Sequence, residues 1–450
     1  MRGVRPVAGR FRRLRWAADA GLVAILLVIP WIRIAGEPLI FLDIPGRKFH
    51  VFGLVIFPQE LIFLWLIVVG LALALFFFTA LAGRLWCGWA CPQTVFTDVF
   101  AALERRIQGW QGTRPPRRVA LWRKVATHAV FAAIAVVVGV HLVGYFHPID
   151  ALVADILAGT PPPTAAAFVL VLSTLAYLDF TFVRQTFCKF LCPYARFQSV
   201  LFDADTLVIG YDARRGEPRG KRGTTTGDCV DCGLCVAVCP SEIDIRHGMQ
   251  LECVACTQCI DACDGVMERI GRKRGLIDYR SLVSLEGLRE ARLLRPRVLI
   301  YGAMLVLVAG TFLTMLSQRV PMELQVAHNR DSMMASVGDG RLGNAYTLYV
   351  TNRDLEPHRF EIVLEAPEAF ELVAGVNPIE VGGTKHQETR VFVLADPSRA
   401  ELGPRPTPIR FRLRRLTGDD ADPREVVRAS TFVSPSGARH PAAGGLVHGH

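Results

Sequence analysis

Eight cysteines in the middle of the chain stand in two runs of identical spacing. The runs are Cys229, Cys232, Cys235 and Cys239, followed by Cys253, Cys256, Cys259 and Cys263. Each has the pattern C-x2-C-x2-C-x3-C. Cysteine thiolates are soft ligands that hold iron–sulfur clusters, zinc or Cu(I). Spacing this regular predicts a metal-binding or redox unit rather than a disulfide framework.

This spacing is that of bacterial ferredoxins, in which the fourth cysteine of each run ligates the other cluster. It predicts two 4Fe-4S clusters with crossed ligands. The expected ligand sets are Cys229, Cys232, Cys235 and Cys263 for the first cluster, and Cys253, Cys256, Cys259 and Cys239 for the second. Zinc also binds C-x2-C pairs, but four zinc ligands do not explain the third evenly spaced cysteine or the duplicated last one.

The other four cysteines form two shorter motifs that resemble each other. Cys87 and Cys91 belong to the first motif, and Cys188 and Cys192 to the second. Both motifs read C-x3-C-P-x3-F and follow an apolar segment. The cysteines either share one helix face or, because proline disfavours helical conformation in the preceding residue, mark a helix end. If the segments pack as an internal repeat, four thiols converge. Metal transfer, a further cluster, a dithiol pair and simple apolar packing all stay open.

Apolar segments make this a membrane protein. Of the 450 residues, 51% are hydrophobic, and five segments have the roughly 20 apolar residues that a bilayer core requires. The expected spans are 17–34, 61–82, 125–146, 164–183 and 298–319. A signal peptide is the competing interpretation of the first segment, but no small-residue cleavage site follows it. We expect a membrane domain over 1–211, containing the first four spans.

The net charge of +10 lies beside the apolar segments, which indicates membrane topology rather than nucleic-acid binding. Loop 83–124 carries eight Lys or Arg residues, whereas loop 147–163 carries none. By the positive-inside rule the N-terminus and the cluster-binding domain, 212–297, are cytoplasmic. That domain begins with a Gly- and Arg-rich stretch, 212–227, which we interpret as a flexible linker. Its basic end, 269–297, suits anionic lipid headgroups.

The C-terminal part has a different pattern. Within 320–435, alternating apolar and polar stretches separated by Gly, Pro and Asn predict about seven short strands. They favour an immunoglobulin-like sandwich without a disulfide, on the periplasmic side of the membrane. Residues 436–450 are expected to be disordered.

Two weaker candidates involve histidine and methionine. His128 and His141 lie within the third span, where haem ligation would need partners on another helix. The residues Met315, Met322, Met333, Met334 and His328 could form a copper-binding cluster. Packing is the favoured role for scattered methionines.

Several motifs together resemble the CcoG family, also called FixG or RdxA, over nearly the whole chain. They are Cys87-Gly-Trp-Ala-Cys91-Pro92-Gln-Thr-Val-Phe, Cys192-Pro193-Tyr-Ala-Arg-Phe, Asp43-Ile-Pro-Gly-Arg-Lys-Phe and Gly227-Asp-Cys229-Val-Asp-Cys232. His50 follows the third motif where an aromatic residue is expected. The resemblance implies five spans, a cytoplasmic two-cluster ferredoxin domain of α+β type and a periplasmic immunoglobulin-like domain.

The resemblance also implies a function, the reduction of Cu(II) to Cu(I) for the copper centre of cbb-type cytochrome c oxidase in the bacterial inner membrane. It makes Cys87, Cys91, Cys188 and Cys192 the expected copper or electron-relay positions. Expected partners are copper ions, copper chaperones or oxidase assembly factors, an electron donor and a second copy of the chain, but no nucleic acid. Two alternatives remain, a quinol-linked electron-transfer subunit and an assembly scaffold without turnover.

Overall fold

The computed structural model describes residues 4–34, 36–110, 116, 118–220, 227–329, 335–336, 341–396, 406–417 and 420–434. The chain forms two compact units, 1–313 and 314–450. The helices are α1 (Arg10–Val28), α2 (Leu61–Ala82), α3 (Leu85–Trp89), α4 (Pro92–Gln108), α5 (Leu121–Val143), α6 (Ile149–Ala158), α7 (Pro163–Leu178), α8 (Pro193–Leu201), α9 (Ala213–Gly216), α10 (Leu234–Ala237), α11 (Gln258–Arg269), α12 (Leu282–Leu285) and α13 (Pro296–Ser317).

Five helical segments are long and apolar enough to cross a membrane, as predicted. They are Arg10–Trp31, Pro58–Ala82, Leu121–Val143, Pro163–Val183 and Pro296–Ser317. The first begins seven residues before the predicted start at residue 17. Its basic first turns form helix because carboxylates elsewhere in the unit bind them, notably Asp98 and Asp261. The chain is therefore a multi-pass membrane protein.

Aromatic side chains pack the helices of this unit together. Phe100 and Phe131 are almost fully buried, and their ring centroids lie 4.5 Å apart. Phe180 stacks on Phe96 at 5.1 Å. Since these residues come from α4, α5 and the end of the fourth span, they pack the first C-x3-C-P segment against the span that precedes the second segment.

Short antiparallel strands follow the first span. They are β1 (Arg33–Ile34), β2 (Glu37–Pro38), β3 (Ile40–Asp43), β4 (Lys48–Val51) and β5 (Leu54–Ile56). His50 on β4 is buried, and its Nδ1 lies 3.8 Å from the Glu37 carboxylate.

The cysteine runs belong to a small α+β region. Strand β6 (Val208–Tyr211) pairs antiparallel with β7 (Ile277–Arg280), and α10 and α11 pack against this pair through a buried apolar core. The stretch 212–227, interpreted as a flexible linker, begins with the helical turn α9. Arg215 in that turn forms an ion pair with Asp228, so the described part of the stretch is tied to the cluster-binding region. Residues 221–226 lie outside the described residues.

The C-terminal unit is a two-sheet sandwich, as the alternating pattern predicted. Its strands are β8 (Met322–His328), β9 (Ala335–Ser336), β10 (Leu342–Asn352), β11 (His358–Glu365), β12 (Phe370–Ala374), β13 (Ile379–Val381), β14 (His386–Ala395), β15 (Thr407–Thr417) and β16 (Asp420–Phe432). One sheet has the order β12-β14-β10-β8, with β9 beside β10, and the other β13-β11-β15-β16. The predicted tail, 436–450, lies outside the described residues.

The sandwich core supplies a first prediction. Phe411 on β15 is fully buried, and its ring meets Tyr346 edge-on at 5.2 Å. Phe411→Ala is expected to destabilise the C-terminal unit by about 3–5 kcal/mol, because it removes apolar contacts and leaves a cavity. Hydrogen exchange of the full-length protein should accelerate in β10 and β15. Phe392→Ala is the control, because Phe392 is 44% exposed. Equal exchange in the two variants would contradict the prediction.

Candidate functional site

The two cysteine runs share one backbone conformation. Asp231 and Gly233 in the first run have φ of 50° and 64°, and the equivalent Ala255 and Thr257 in the second have 53° and 62°. Alternation of right- and left-handed residues turns successive N–H groups toward one side of the loop. Such concave arrangements of N–H groups are common at iron–sulfur sites.

The folded runs enclose two small cavities. One is lined by Cys229, Cys232, Cys235 and Cys263, together with Arg246 and mostly apolar side chains. The other is lined by Cys239, Cys253, Cys256 and Cys259, with Cys235 between the two. The last cysteine of each run thus faces the cavity of the other run. This is the arrangement that crossed ligation requires.

Burial determines the protonation of these thiols. It raises the pKa of Cys253 to about 11, and that of Cys256 to about 12. Iron ligation requires the thiolate, so metal binding must release these protons. Positive charge from iron would offset the cost of an ionised sulfur in such an apolar site.

The two C-x3-C-P motifs are a structural repeat. Each follows a residue of positive φ at the end of a span, Gly83 at 56° and Arg184 at 50°. Each second cysteine has an extended conformation and precedes a proline that begins the next helix. The motifs therefore mark helix ends, the second of the two conformations that the sequence left open. In the second motif, Cys188 lies within a π-helix, Phe187–Leu191, that ends just before Cys192.

Side chains cross between the two motifs in both directions. The Cys87 thiol donates to Gln198 Oε1 on α8 at 3.5 Å. In return, Gln93 Nε2 on α4 donates to the Arg184 carbonyl at 2.9 Å, which helps to hold that arginine in its uncommon conformation. Cys87, Cys91, Cys188 and Cys192, named here the paired cysteines, are thereby brought into one neighbourhood.

Their mutual influence appears in their acidity. Burial, followed by the nearby thiols of Cys91, Cys87 and Cys192, raises the pKa of Cys188 to about 12. Burial, followed by the nearby Cys91 thiol, raises the pKa of Cys87 to about 11. Among the described residues, no three His, Cys, Asp or Glu side chains lie close enough to hold a single metal ion.

The paired cysteines contact the second cysteine run directly. Cys188, Val254 and Cys256 form one buried cluster. The Trp89 indole, inside the first motif, donates to the Tyr279 hydroxyl at 3.1 Å, and that hydroxyl donates to the Ala255 carbonyl at 3.4 Å. The cluster-binding region and the paired cysteines are therefore one continuous site.

An ionic contact that the sequence analysis missed supports this site. Arg15 is fully buried and donates to Asp98 at 2.6 Å and to the Cys256 carbonyl at 3.0 Å. Arg12 also donates to Asp98, at 2.7 Å. Charged residues at the edge of an apolar segment could have revealed this contact, since ionisable groups near a span usually have a partner.

A second missed residue caps the first helix from a distance. The N-cap residue of α1, Gly9, has no capping side chain. Instead, the Asp261 carboxylate on α11 accepts from the backbone N–H groups of Phe11 at 3.2 Å and Arg12 at 2.7 Å. This contact attaches α1 to the helix that carries Cys259 and Cys263.

Removing this cap is expected to loosen α1. Asp261→Ala should destabilise the contact by about 1 kcal/mol, as loss of an N-cap acceptor usually does. Hydrogen exchange at residues 10–13 of the intact protein should become faster, with a smaller effect in Asp261→Asn, which keeps one acceptor oxygen. Unchanged exchange in the alanine variant would show that the cap does not hold the helix.

The weaker histidine and methionine candidates have ordinary partners. His128 Nδ1 lies 3.0 Å from the Tyr177 hydroxyl, and His141 Nδ1 lies 2.8 Å from the Val137 carbonyl. They stand on one helix, thirteen residues apart, and so cannot meet at one haem. Met322 belongs to the sandwich core, and the His328 ring stacks on Tyr346 at 4.7 Å. Met333 and Met334 lie outside the described residues.

The fold and the site define a class of protein, a membrane-bound iron–sulfur protein that transfers electrons. Family models agree with this class: a 4Fe-4S dicluster domain matches residues 183–282, a 4Fe-4S binding domain matches 61–111, and the IG-like fold at the C-terminus of FixG matches 312–435. The second match includes the first C-x3-C-P motif. The dicluster match covers both cysteine runs and favours iron–sulfur clusters over zinc as the metal bound there.

Relatives extend along nearly the whole chain. Protein RdxA of Cereibacter sphaeroides is 36% identical over 95% of this chain and 96% of its own length. The nitrogen fixation protein FixG of Rhizobium meliloti is 35% identical over 82% of this chain and 80% of its own length. Protein RdxB of C. sphaeroides is 34% identical over 86% and 87%. The chain belongs to the FixG/RdxA family.

Proposed function

We propose that this protein is a cupric reductase that converts Cu(II) to Cu(I) for the copper centre of cbb-type cytochrome c oxidase. When bound, 4Fe-4S clusters accept and release single electrons. In this proposal the cluster ligands are Cys229, Cys232, Cys235 and Cys263 for one cluster, and Cys253, Cys256, Cys259 and Cys239 for the other. The paired cysteines receive the copper substrate, because thiolates favour Cu(I).

One observation carries this proposal: Cys188, one of the paired cysteines, packs in a single buried cluster with Val254 and Cys256 of the second run. A copper ion on the paired cysteines would thus lie beside a residue that holds an electron-donating cofactor.

The proposal includes an orientation and partners. The basic stretch 83–124 supports a cytoplasmic cluster-binding region, with the sandwich in the periplasm. Copper chaperones or oxidase assembly factors would then accept the Cu(I).

The test uses the full-length protein, purified without oxygen in detergent. Its clusters are reduced, excess reductant is removed, Cu(II) is added, and Cu(I) is captured by a coloured chelator while cluster absorbance is followed. We expect about one Cu(I) for each electron that the clusters release, since each supplies one. Reduced clusters that persist without Cu(I) formation would contradict a cupric reductase.

A second function is favoured by a cavity among the spans. Apolar side chains of α1, α5 and α7 line it, and it reaches Ala90 and Pro92 of the first motif and Phe187 beside the second. Its lining includes the Asp179 carboxylate, which accepts from Gln93 Nε2 at 3.1 Å. An isoprenoid quinol has both an apolar tail and hydroxyl groups that a carboxylate can bind. In this alternative, the protein oxidises quinol and passes electrons to a protein partner.

A short-chain quinol distinguishes the two functions. Added to the oxidised protein, it should reduce the clusters if the alternative is correct, and Asp179→Asn should slow that reduction. Leu157→Asn on α6, at a highly exposed position outside the cavity lining, is the control. Clusters that remain oxidised would exclude the quinol as donor.

A further inference from the structure

The loop from Cys253 to Cys256 approaches the first C-x3-C-P motif more closely than any side chain at position 88 would allow. A Cβ atom added to Gly88 would lie 2.8 Å from the Val254 carbonyl oxygen and nearer still to that of Ala255. Both obstacles are backbone atoms, which cannot turn aside as a flexible side chain can. Glycine at this position therefore permits the contact.

The second C-x3-C-P motif approaches the same loop from its own side. Cys188 is buried, as are Val254 and Cys256, and the three side chains pack together. The loop thus lies between Gly88 of one motif and Cys188 of the other. Hydrogen bonds hold it there, since the carbonyls of Ala255 and Cys256 accept from Tyr279 and Arg15.

The first cysteine run has a different environment. Cys232 is exposed, whereas Cys256 is buried. Arg246 lines the first cavity and bonds to Asp231 and Asp244, both in the cluster-binding region. The first run therefore has one cysteine exposed to solvent, Cys232, whereas the second run packs against a paired cysteine.

We propose that the Cys253–Cys256 loop is the electron bridge to the paired cysteines, and that Gly88 is the positioning residue that brings the loop into contact with them. The inference rests on the proposed function for its cofactor and its copper substrate. One electron from a reduced 4Fe-4S cluster held by the second run would cross the loop to thiolate-bound Cu(II). The cluster would be oxidised by one electron and the Cu(II) reduced to Cu(I). No bond forms or breaks, and no proton moves. A soluble donor would supply electrons at the exposed first run.

The first test compares Gly88→Ala with Gly265→Ala in the full-length protein. Gly265 is a helical residue of α11 whose added Cβ would meet nothing within 4 Å. Both variants should keep the iron and sulfide content of the wild type and accept electrons from a soluble dye at its rate. Cu(I) formation should slow at least about tenfold in Gly88→Ala alone, the effect of about 1.4 kcal/mol on a barrier. Equal rates in the two variants would overturn the inference.

A distance measurement tests the bridge without copper. A nitroxide is attached to Cys192 after Cys87, Cys91 and Cys188 are changed to serine, and its spin relaxation is measured before and after cluster reduction. Cluster reduction should shorten the relaxation time of the nitroxide in the labelled protein. It should also do so in the labelled Cys229→Ala variant, but not in the labelled Cys259→Ala variant. In labelled protein that keeps both cysteine runs, Gly88→Ala should weaken the effect of cluster reduction on the nitroxide relaxation. This variant keeps the test decisive if Cys259→Ala does not fold.

The outcomes separate the bridge from the function. If the nitroxide relaxation depends on the cluster that Cys229 would ligate, the bridge is overturned, even if the wild type reduces copper. If the wild type forms no Cu(I) but the nitroxide relaxation depends on the cluster that Cys259 would ligate, the bridge is supported. The same result contradicts copper as the substrate.

Discussion

Replacement of all four paired cysteines by serine is expected to reduce Cu(I) formation by at least about 10- to 100-fold, the scale on which metal sites respond to loss of their supporting groups. The effect follows from ligand chemistry, because serine hydroxyls are hard ligands that do not stabilise Cu(I). Cluster content should be unchanged, since the paired cysteines are separate from the eight proposed ligands. The measurement is chelator-captured Cu(I) against time after anaerobic cluster reduction.

Two double variants make this prediction sharper. Cys87 and Cys188 are buried, whereas Cys91 and Cys192 are partly exposed. Serine at the partly exposed pair should mainly impair copper entry and raise the Cu(II) concentration needed for half-maximal rate. Serine at the buried pair should mainly lower the maximal rate. A quadruple variant that reduces copper at the wild-type rate would exclude the paired cysteines as the copper site.

Asp98→Ala is expected to lower the stability of the protein by about 3–5 kcal/mol, because it leaves a buried guanidinium without its carboxylate. Asp98 binds both Arg12 and Arg15, and the side chain of Arg15 is fully buried. Since Arg15 also holds the Cys256 carbonyl, the loop should loosen as well. The temperature at which iron is released from the purified protein is the measurement, and it should fall.

Asp150→Ala is the matched control. Asp150 pairs with Arg33 at 2.7 Å, but the two side chains are 57% and 46% exposed, so its loss should cost less than about 1 kcal/mol. If the two variants release iron at the same temperature, the ion pair at Asp98 does not support the cluster-binding region.

Local patterns in the sequence were sufficient for much of the architecture. A span needs only length and apolarity, which is why the Leu61–Ala82 helix was predicted at its observed bounds. Strand alternation likewise follows from one buried face, and Phe360 and Ile362 are buried on β11 as that pattern requires. The linker interpretation of 212–227 failed in its described part, because composition does not reveal that Arg215 has a carboxylate partner in Asp228.

The cysteine spacing determined the kind of cofactor by itself, because a few ligands close together in the chain already define the geometry around a cluster. It did not determine which run lies beside the paired cysteines. That depends on contacts between distant residues, such as Arg15 with Cys256 and Gly88 with Ala255. A glycine or an arginine has no local pattern that names its partner, and only the folded chain brings these groups together. The tertiary structure therefore decided that the second run packs against the paired cysteines.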